Sequence, residues 1–242
     1  MPRLRGPAIA PPTGDEAWPF LNEKIYGSAL QGGHHTHPKE DLLPWSWSDV
    51  FDRQAPLHLE VGFNRGKFIT ELARQNPQAN VVGIEIRRRF GWRLSQMVSL
   101  ADEPRNLRII WGDAKILLPL LFGEASLDGI YITFPDPWWK KKHFKRRLVD
   151  TDFAAGIAQR LKVGGVVWVK SDVGMIADEI KGALLARPEL GVCTPFDQDD
   201  LPLTHREQSC IRQGMEIHRF KLTRLDVPFD ANFQAPPIRE ET

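Results

Sequence analysis

Five carboxylates sit at or just beyond the ends of short apolar runs, where they could serve chemistry. Glu60 closes the run 57–61, just ahead of the turn Gly62-Phe63-Asn64-Arg65-Gly66. Glu85 ends the run 81–86, Asp113 follows Trp111-Gly112, Asp136 follows Phe134-Pro135, and Asp172 follows Lys170-Ser171. Gly62 and Gly66 allow the backbone a tight turn and a close approach to a ligand. Glu85 lies about 20 residues past those glycines, where an acid accepts hydrogen bonds from ribose hydroxyls in nucleoside-binding α/β folds. Asp113 suits an exocyclic amine of the kind adenine offers. The competing reading is helix capping, since Asp113 and Asp172 each precede a helix and a carboxylate there satisfies free N–H groups. Acids after successive strands weaken a capping-only account. The glycines lack the spacing of dinucleotide binders, which removes the main support for a nicotinamide enzyme.

A second group of residues is basic. Lys140-Lys141-Lys142-His143-Phe144-Lys145-Arg146-Arg147 begins four residues after Asp136, beside Trp138 and Trp139. Charge runs commonly form a solvated face. Beside two aromatics and a candidate site, these cations suit phosphates and the aromatics suit exposed bases. Arg87, Arg88, Arg89 and Arg93 open a helix, where cations oppose the macrodipole. His34, His35 and His37 have no further ligand at typical spacing, so no metal site is expected. Cys193 and Cys210 lack a neighbouring base and are read as buried fillers.

These residues need a scaffold. Strand signals at 57–61, 81–86, 107–111, 127–134 and 166–170 alternate with helical spacing at 68–76, 87–101, 115–122, 150–161 and 175–186. Gly164-Gly165 reads as the stop between the fourth of these helices and the fifth strand. Further strand signals lie at 191–196 and 216–222. Short β-branched strands alternating with helices predict an α/β fold with a mostly parallel sheet covered on both faces. In such a sheet ligands bind beyond the carboxyl ends of the strands, where the acids lie. Residues 1–22 read as a mobile arm and 23–55 as an irregular segment leading to a short helix near 46–52. The segment 226–242 reads as an extended tail.

The chain has 242 residues, 42% hydrophobic and 26% charged, which predicts one mid-sized globular domain with extensions. No apolar stretch is long enough to span a membrane, and the N-terminus lacks the apolar core of a secretory signal. With two cysteines and no disulfide framework, a reducing cytoplasmic setting is expected. The net charge is +1, so affinity for nucleic acid must come from local clustering.

The string from Leu59 to Gly66, with Gly83-Ile84-Glu85 and Gly112-Asp113-Ala114, resembles the class I S-adenosylmethionine methyltransferases, a Rossmann-like fold with a seven-stranded sheet. Phe134-Pro135-Asp136-Pro137-Trp138-Trp139-Lys140 with His143 and Lys145-Arg146-Arg147 narrows the likeness. It resembles the bacterial tRNA (guanine-N7)-methyltransferases, as do Ser171-Asp172 and Thr204-His205-Arg206-Glu207. The resemblance covers residues 56–225 and implies an S-adenosylmethionine-dependent enzyme without a metal. It implies cofactor binding by Glu60, Gly62, Glu85, Asp113 and Asp136, with Asp136 also catalytic. It implies tRNA binding by Lys140, Asp172, Thr204, His205, Arg206 and Glu207, and guanosine 46 of the variable loop as target. A monomer or homodimer would serve. One departure is Asn64, where the family has a glycine; asparagine tolerates left-handed backbone better than most residues. Two alternatives remain. An amino-methyltransferase would carry adjacent prolines after the fourth strand, which Pro135-Asp136-Pro137-Trp138 lacks. A non-catalytic RNA-binding paralogue is favoured only by Asn64.

Overall fold

The computed structural model describes residues 19–26, 38, 43–193 and 201–233. Two short helices, α1 (Asn22–Tyr26) and α2 (Trp47–Phe51), precede the alternating part. Then come β1 (Leu57–Val61), α3 (Lys67–Gln75), β2 (Asn80–Glu85), α4 (Arg88–Ala101), β3 (Leu107–Trp111), α5 (Ala114–Leu121) and β4 (Leu127–Thr133). A 3₁₀ segment, Lys141–Arg146, leads to α6 (Thr151–Arg160), β5 (Leu161–Ser171), α7 (Gly174–Leu185), β6 (Leu190–Val192), α8 (His205–Arg212) and β7 (His218–Arg224). The strands form one sheet in the order β3-β2-β1-β4-β5-β7-β6. The first five of that order run parallel, and β7 is antiparallel to both β5 and β6.

Every residue of β2 is buried. Successive strand residues point to opposite faces, so both faces of the sheet are covered there. The helical spacing acts as expected in α3, where Phe68, Ile69, Leu72 and Ala73 form the buried stripe.

Strand five departs from the sequence expectation. Gly164-Gly165 does not stop a helix: α6 ends at Arg160 and β5 starts with the next residue. The ladder with β4 jumps from Leu127↔Leu161 to Gly129↔Val166. The extra residues of β5 form a bulge, and Gly164 turns it with φ of 80°.

Two extensions are also built into the domain. Phe20 bridges Ile109 in parallel, and Leu21 N–H donates to the Ile109 carbonyl at 3.1 Å, so this stretch lines the β3 edge. Asn22 is fully buried, donating to the Trp111 carbonyl and accepting from the Trp111 N–H at 2.7 Å. Ile25 and Tyr26, with Trp47 and Phe51, join the core. The arm read over 1–22 therefore ends before Pro19 at the latest, because Phe20 and Leu21 bury apolar surface and pair with the sheet. At the other end, the Arg187 guanidinium lies 4.9 Å from the Phe229 ring and 4.8 Å from Phe233. Arg187 and Glu189 also bond the Asp230 carbonyl and N–H. Residues 226–233 are thus docked rather than simply extended.

Asn22→Ala should lower the unfolding free energy by about 1–3 kcal/mol, since it strips both bonds from the buried Trp111 peptide groups. Urea denaturation reads the change; an unshifted midpoint would mean the N-terminal segment does not brace β3.

Candidate active site

The strand order reverses direction between β1 and β4. The turns after these two neighbours leave toward opposite sides, which opens a crevice at their carboxyl ends. Two cavities occupy it, of about 510 and 780 Å³. They share a wall made by Gly62, Asn64, Arg87, Thr133, Phe134, Pro135 and Asp136.

The smaller cavity collects Glu85, Gly112, Asp113 and Trp138. Asn64 takes a left-handed conformation with φ of 51°, keeping the turn despite the missing glycine. Its N–H donates to Glu85 Oε2 at 2.8 Å, and Arg87 N–H donates to Oε1 at 2.8 Å. Each oxygen keeps a second lone pair for a ligand. Burial pushes the Glu85 carboxyl up, against those two N–H groups, which lower it. Asp113 caps α5, accepting from Lys115 N–H at 2.9 Å, and also lines the cavity, so the capping and binding readings coexist.

Glu60 lies at the crevice floor and lines the larger cavity. It is 1% exposed, and Oε1 accepts from the Thr133 hydroxyl at 2.9 Å. Its Oε2 is buried with no hydrogen-bond partner among the described residues. Burial pushes its pKa up to about 8.

The larger cavity collects Asp172, Thr204, His205, Arg206, Arg212 and Trp139. Asp172 does not cap α7; it accepts from Arg206 Nε at 2.9 Å. Thr204 and Glu207 form a capping box at the start of α8, Thr204 Oγ1 accepting from Glu207 N–H at 2.9 Å. Glu207 is 1% exposed and outside both cavities. It accepts from Lys170 Nζ at 3.0 Å and Arg219 Nη2 at 3.0 Å. The expectation that Glu207 faces a substrate is corrected: its carboxylate is enclosed and holds α8 to β5 and β7.

Asp136 is about half exposed and pairs with Arg87 at 2.7 Å. Its loop is held at both ends, by Phe134 N–H on the Lys170 carbonyl at 2.7 Å and by Arg147 Nε on the Pro137 carbonyl at 3.2 Å. Phe134 and Trp138 have positive φ of 51° and 43°, strain that such anchoring sustains. The basic run divides. Lys145 and Arg146 line the smaller cavity, with the Arg146 guanidinium 5.2 Å from the Trp138 ring. Lys140, Lys141 and Lys142 are exposed and line neither.

The three histidines at 34, 35 and 37 lie outside the described residues. Cys210 is buried, whereas Cys193 is only partly so. Among the described residues no helix is long and apolar enough to cross a membrane.

A family model described as "Putative methyltransferase" matches residues 54–220. A protein of Thermosynechococcus vestitus named tRNA (guanine-N(7)-)-methyltransferase is 33% identical over 199 residues, covering 78% of this chain and 90% of that protein. One of the same name from Nitrosomonas europaea is 36% identical over 177 residues, covering 67% and 78%. The chain belongs to the tRNA (guanine-N7)-methyltransferase family. Among solved structures, the 16S rRNA methyltransferase KamB superposes with a TM-score of 0.54 at 17% identity, covering 74% of this chain and 92% of that one. TrmN from Thermus thermophilus does so with 0.51 at 21%, covering 74% and 47%. These two likenesses concern the fold.

For a tRNA (guanine-N7)-methyltransferase, the smaller cavity fits the implied S-adenosylmethionine in kind. Gly62 has φ of 79°, and a Cβ added there would meet no atom within 4 Å, so the backbone of this turn is open to the cavity. The orphan Glu60 oxygen suits a cationic or N–H donor group, but Glu60 lines the larger cavity and is not brought together with Glu85 and Asp113 in the smaller one. Arg87, Trp138, Lys145 and Arg146 were not among the residues the family motifs assign to the cofactor. Arg87 follows β2 directly, whereas the place of Trp138, Lys145 and Arg146 depends on how the loop after β4 folds back, which spacing does not encode.

Glu60 yields a pH test. Its folded pKa is raised, so its contribution to stability is full below about pH 4.5 and is lost as pH rises toward about 8. Relative to Glu60→Gln, the wild type should lose stability across that window at up to about 1.4 kcal/mol per pH unit. Denaturant titrations at several pH values read this; parallel profiles would place Glu60 in water.

Proposed function

We propose that this chain transfers a methyl group from S-adenosylmethionine to N7 of a guanosine in tRNA, guanosine 46 of the variable loop. The family membership supports the reaction, and the shared wall at Asp136 between the two cavities supports the arrangement. Glu85 and Asp113 hold the ribose and adenine of the cofactor, and Gly62 leaves room for its chain. When bound, S-adenosylmethionine supplies an electrophilic methyl group on a sulfonium.

Guanine N7 has a free lone pair at neutral pH, so no side chain has to remove a proton from it. The protein's part is positioning and charge. Methylation leaves a positive charge on the imidazole ring of the base. Asp136, on the wall between the cavities, stabilises that charge. Its partner Arg87, at 2.7 Å, shares that wall. Asp172 accepts from guanine N1–H or N2–H with the lone pairs that Arg206 leaves, while Arg206 and His205 border the base. Thr204 and Glu207 act through α8, by fixing Arg206. Lys140, Lys141 and Lys142 face phosphates. An unstacked loop base reaches such a cleft; a base inside a continuous duplex does not. A soluble enzyme of the cytoplasm, where tRNA is modified, is the setting this reading requires.

Asp136→Asn keeps the side-chain size and removes the charge. It should lower kcat by roughly ten- to a thousandfold, more than it raises the KM for tRNA. Mass spectrometry of digested tRNA should find 7-methylguanosine with the wild type. A methyl on an exocyclic amine would transfer the protein to the amino-methyltransferases, and no transfer at all would leave the non-catalytic paralogue.

The divided basic run gives a second test. Lys141→Ala with Lys142→Ala should weaken tRNA binding, each lost phosphate contact reducing the salt slope by roughly 0.7–0.9, and leave cofactor affinity intact. Lys145→Ala with Arg146→Ala should weaken cofactor binding measured without RNA. Equal effects of the two pairs on the cofactor would remove the distinction.

A further inference from the structure

Trp138 and Trp139 are adjacent in sequence and lie in different cavities. Trp138 is partly buried, lines the smaller cavity, and has Arg146 and His143 against its ring. The positive φ at Trp138 turns the chain there, and Trp139 lines the larger cavity instead. Trp139 is 64% exposed, among the most exposed large apolar side chains of the described residues. No ring or cation packs on it among those residues. Phe90 borders the same cavity, but the Arg87 guanidinium already lies 5.8 Å over its ring.

We propose that Trp139 is the stacking surface for the extruded guanine, a substrate-binding residue beyond the acids and cations of the site. This deepens the reading of the larger cavity as the base pocket and rests on it. The geometry has three parts. Trp139 follows Asp136 by three residues, just past the stretch anchored at Phe134 and Pro137, so the aromatic face and the carboxylate leave the same turn and border the same cavity. Asp172 is held across the cavity by Arg206 and reads the edge of the base. A face and an edge together fix a planar ring, and N7 must be aimed along the line of the transferring methyl. Of the other rings lining the cavity, Phe63 and Phe68 are buried in the core and Phe90 and Phe134 are partly buried, so Trp139 presents the most open aromatic face. A purine offers that face the area it would otherwise leave to water.

The test uses the full chain with unmodified tRNA and three variants. Trp139→Ala should lower kcat/KM for tRNA by roughly ten- to a hundredfold, the range for loss of one base-stacking aromatic. Trp139→Phe should restore most of it, because a smaller ring still stacks. Trp139→Leu, apolar without a ring, should stay near the alanine variant. Cofactor affinity by calorimetry should be unchanged in all three, since Trp139 lies outside the smaller cavity. A leucine variant as active as phenylalanine, or an alanine variant with wild-type kcat/KM, would overturn the stacking role. Either result alongside wild-type production of 7-methylguanosine leaves the reaction itself standing. A wild type that makes no 7-methylguanosine overturns both.

Discussion

The site depends on one adjacency, β1 lying against β4 although an α-β-α-β-α stretch separates them in sequence. From β1 the chain turns toward β2 and β3; from β4 it turns toward β5. Diverging turns leave a crevice that no side chain of either strand can fill. The Thr133 hydroxyl bonds Glu60 across the two strands at the floor of that crevice. Glu85 and Asp113 reach it from the β2 and β3 side, and Asp172 with α8 from the β5 and β7 side. Asp136, on the turn after β4, is common to both.

Polar groups under the crevice carry a cost that the surroundings offset unevenly. Lys170 is 4% exposed, and burial pushes its pKa down while Glu207 pulls it up. Two cations share the Glu207 carboxylate, so that cluster is closed on itself. Breaking such a buried pair from one side costs about 3–5 kcal/mol, whereas the intact pair adds little net stability. Its value is register: it sets α8 against the sheet and, through Arg206, the wall of the larger cavity. Glu60 is the opposite case. One of its oxygens has no hydrogen-bond partner among the described residues, so the fold tolerates a buried carboxyl oxygen that a ligand or a proton would satisfy.

Much of this was written locally. Strands one to four, their helices and the acids after them follow from runs of apolar residues and the spacing of α3 and α4, which depend on neighbours in sequence. Asn64 retained the turn because a left-handed φ suits asparagine, as its type suggested. Gly164-Gly165 misled because glycine marks bulges as well as stops, and only the pairing with β4 tells which. Thr204 to Glu207 carries a capping-box spacing that is legible in sequence, yet the family motif drew attention to substrate instead. Asn22 and Phe20 could not be placed, since their partners on β3 lie more than eighty residues away. The separation of Trp138 from Trp139 is likewise a matter of one backbone angle.

The last strand has a consequence for how the molecule comes off the ribosome. β7 enters the sheet between β5 and β6, both of which are made before it. Strands β1 to β4 can pair while the C-terminal residues are still being synthesised, as N-terminal parts fold first. β5 has an unpaired edge until His218 to Arg224 arrive, and Arg219 of that strand completes the enclosure of Glu207. The β5-β7-β6 side of the sheet is therefore finished last. A nascent or truncated chain holds an open strand edge beside an incomplete basic cleft, the stage at which this protein is most exposed to mispairing.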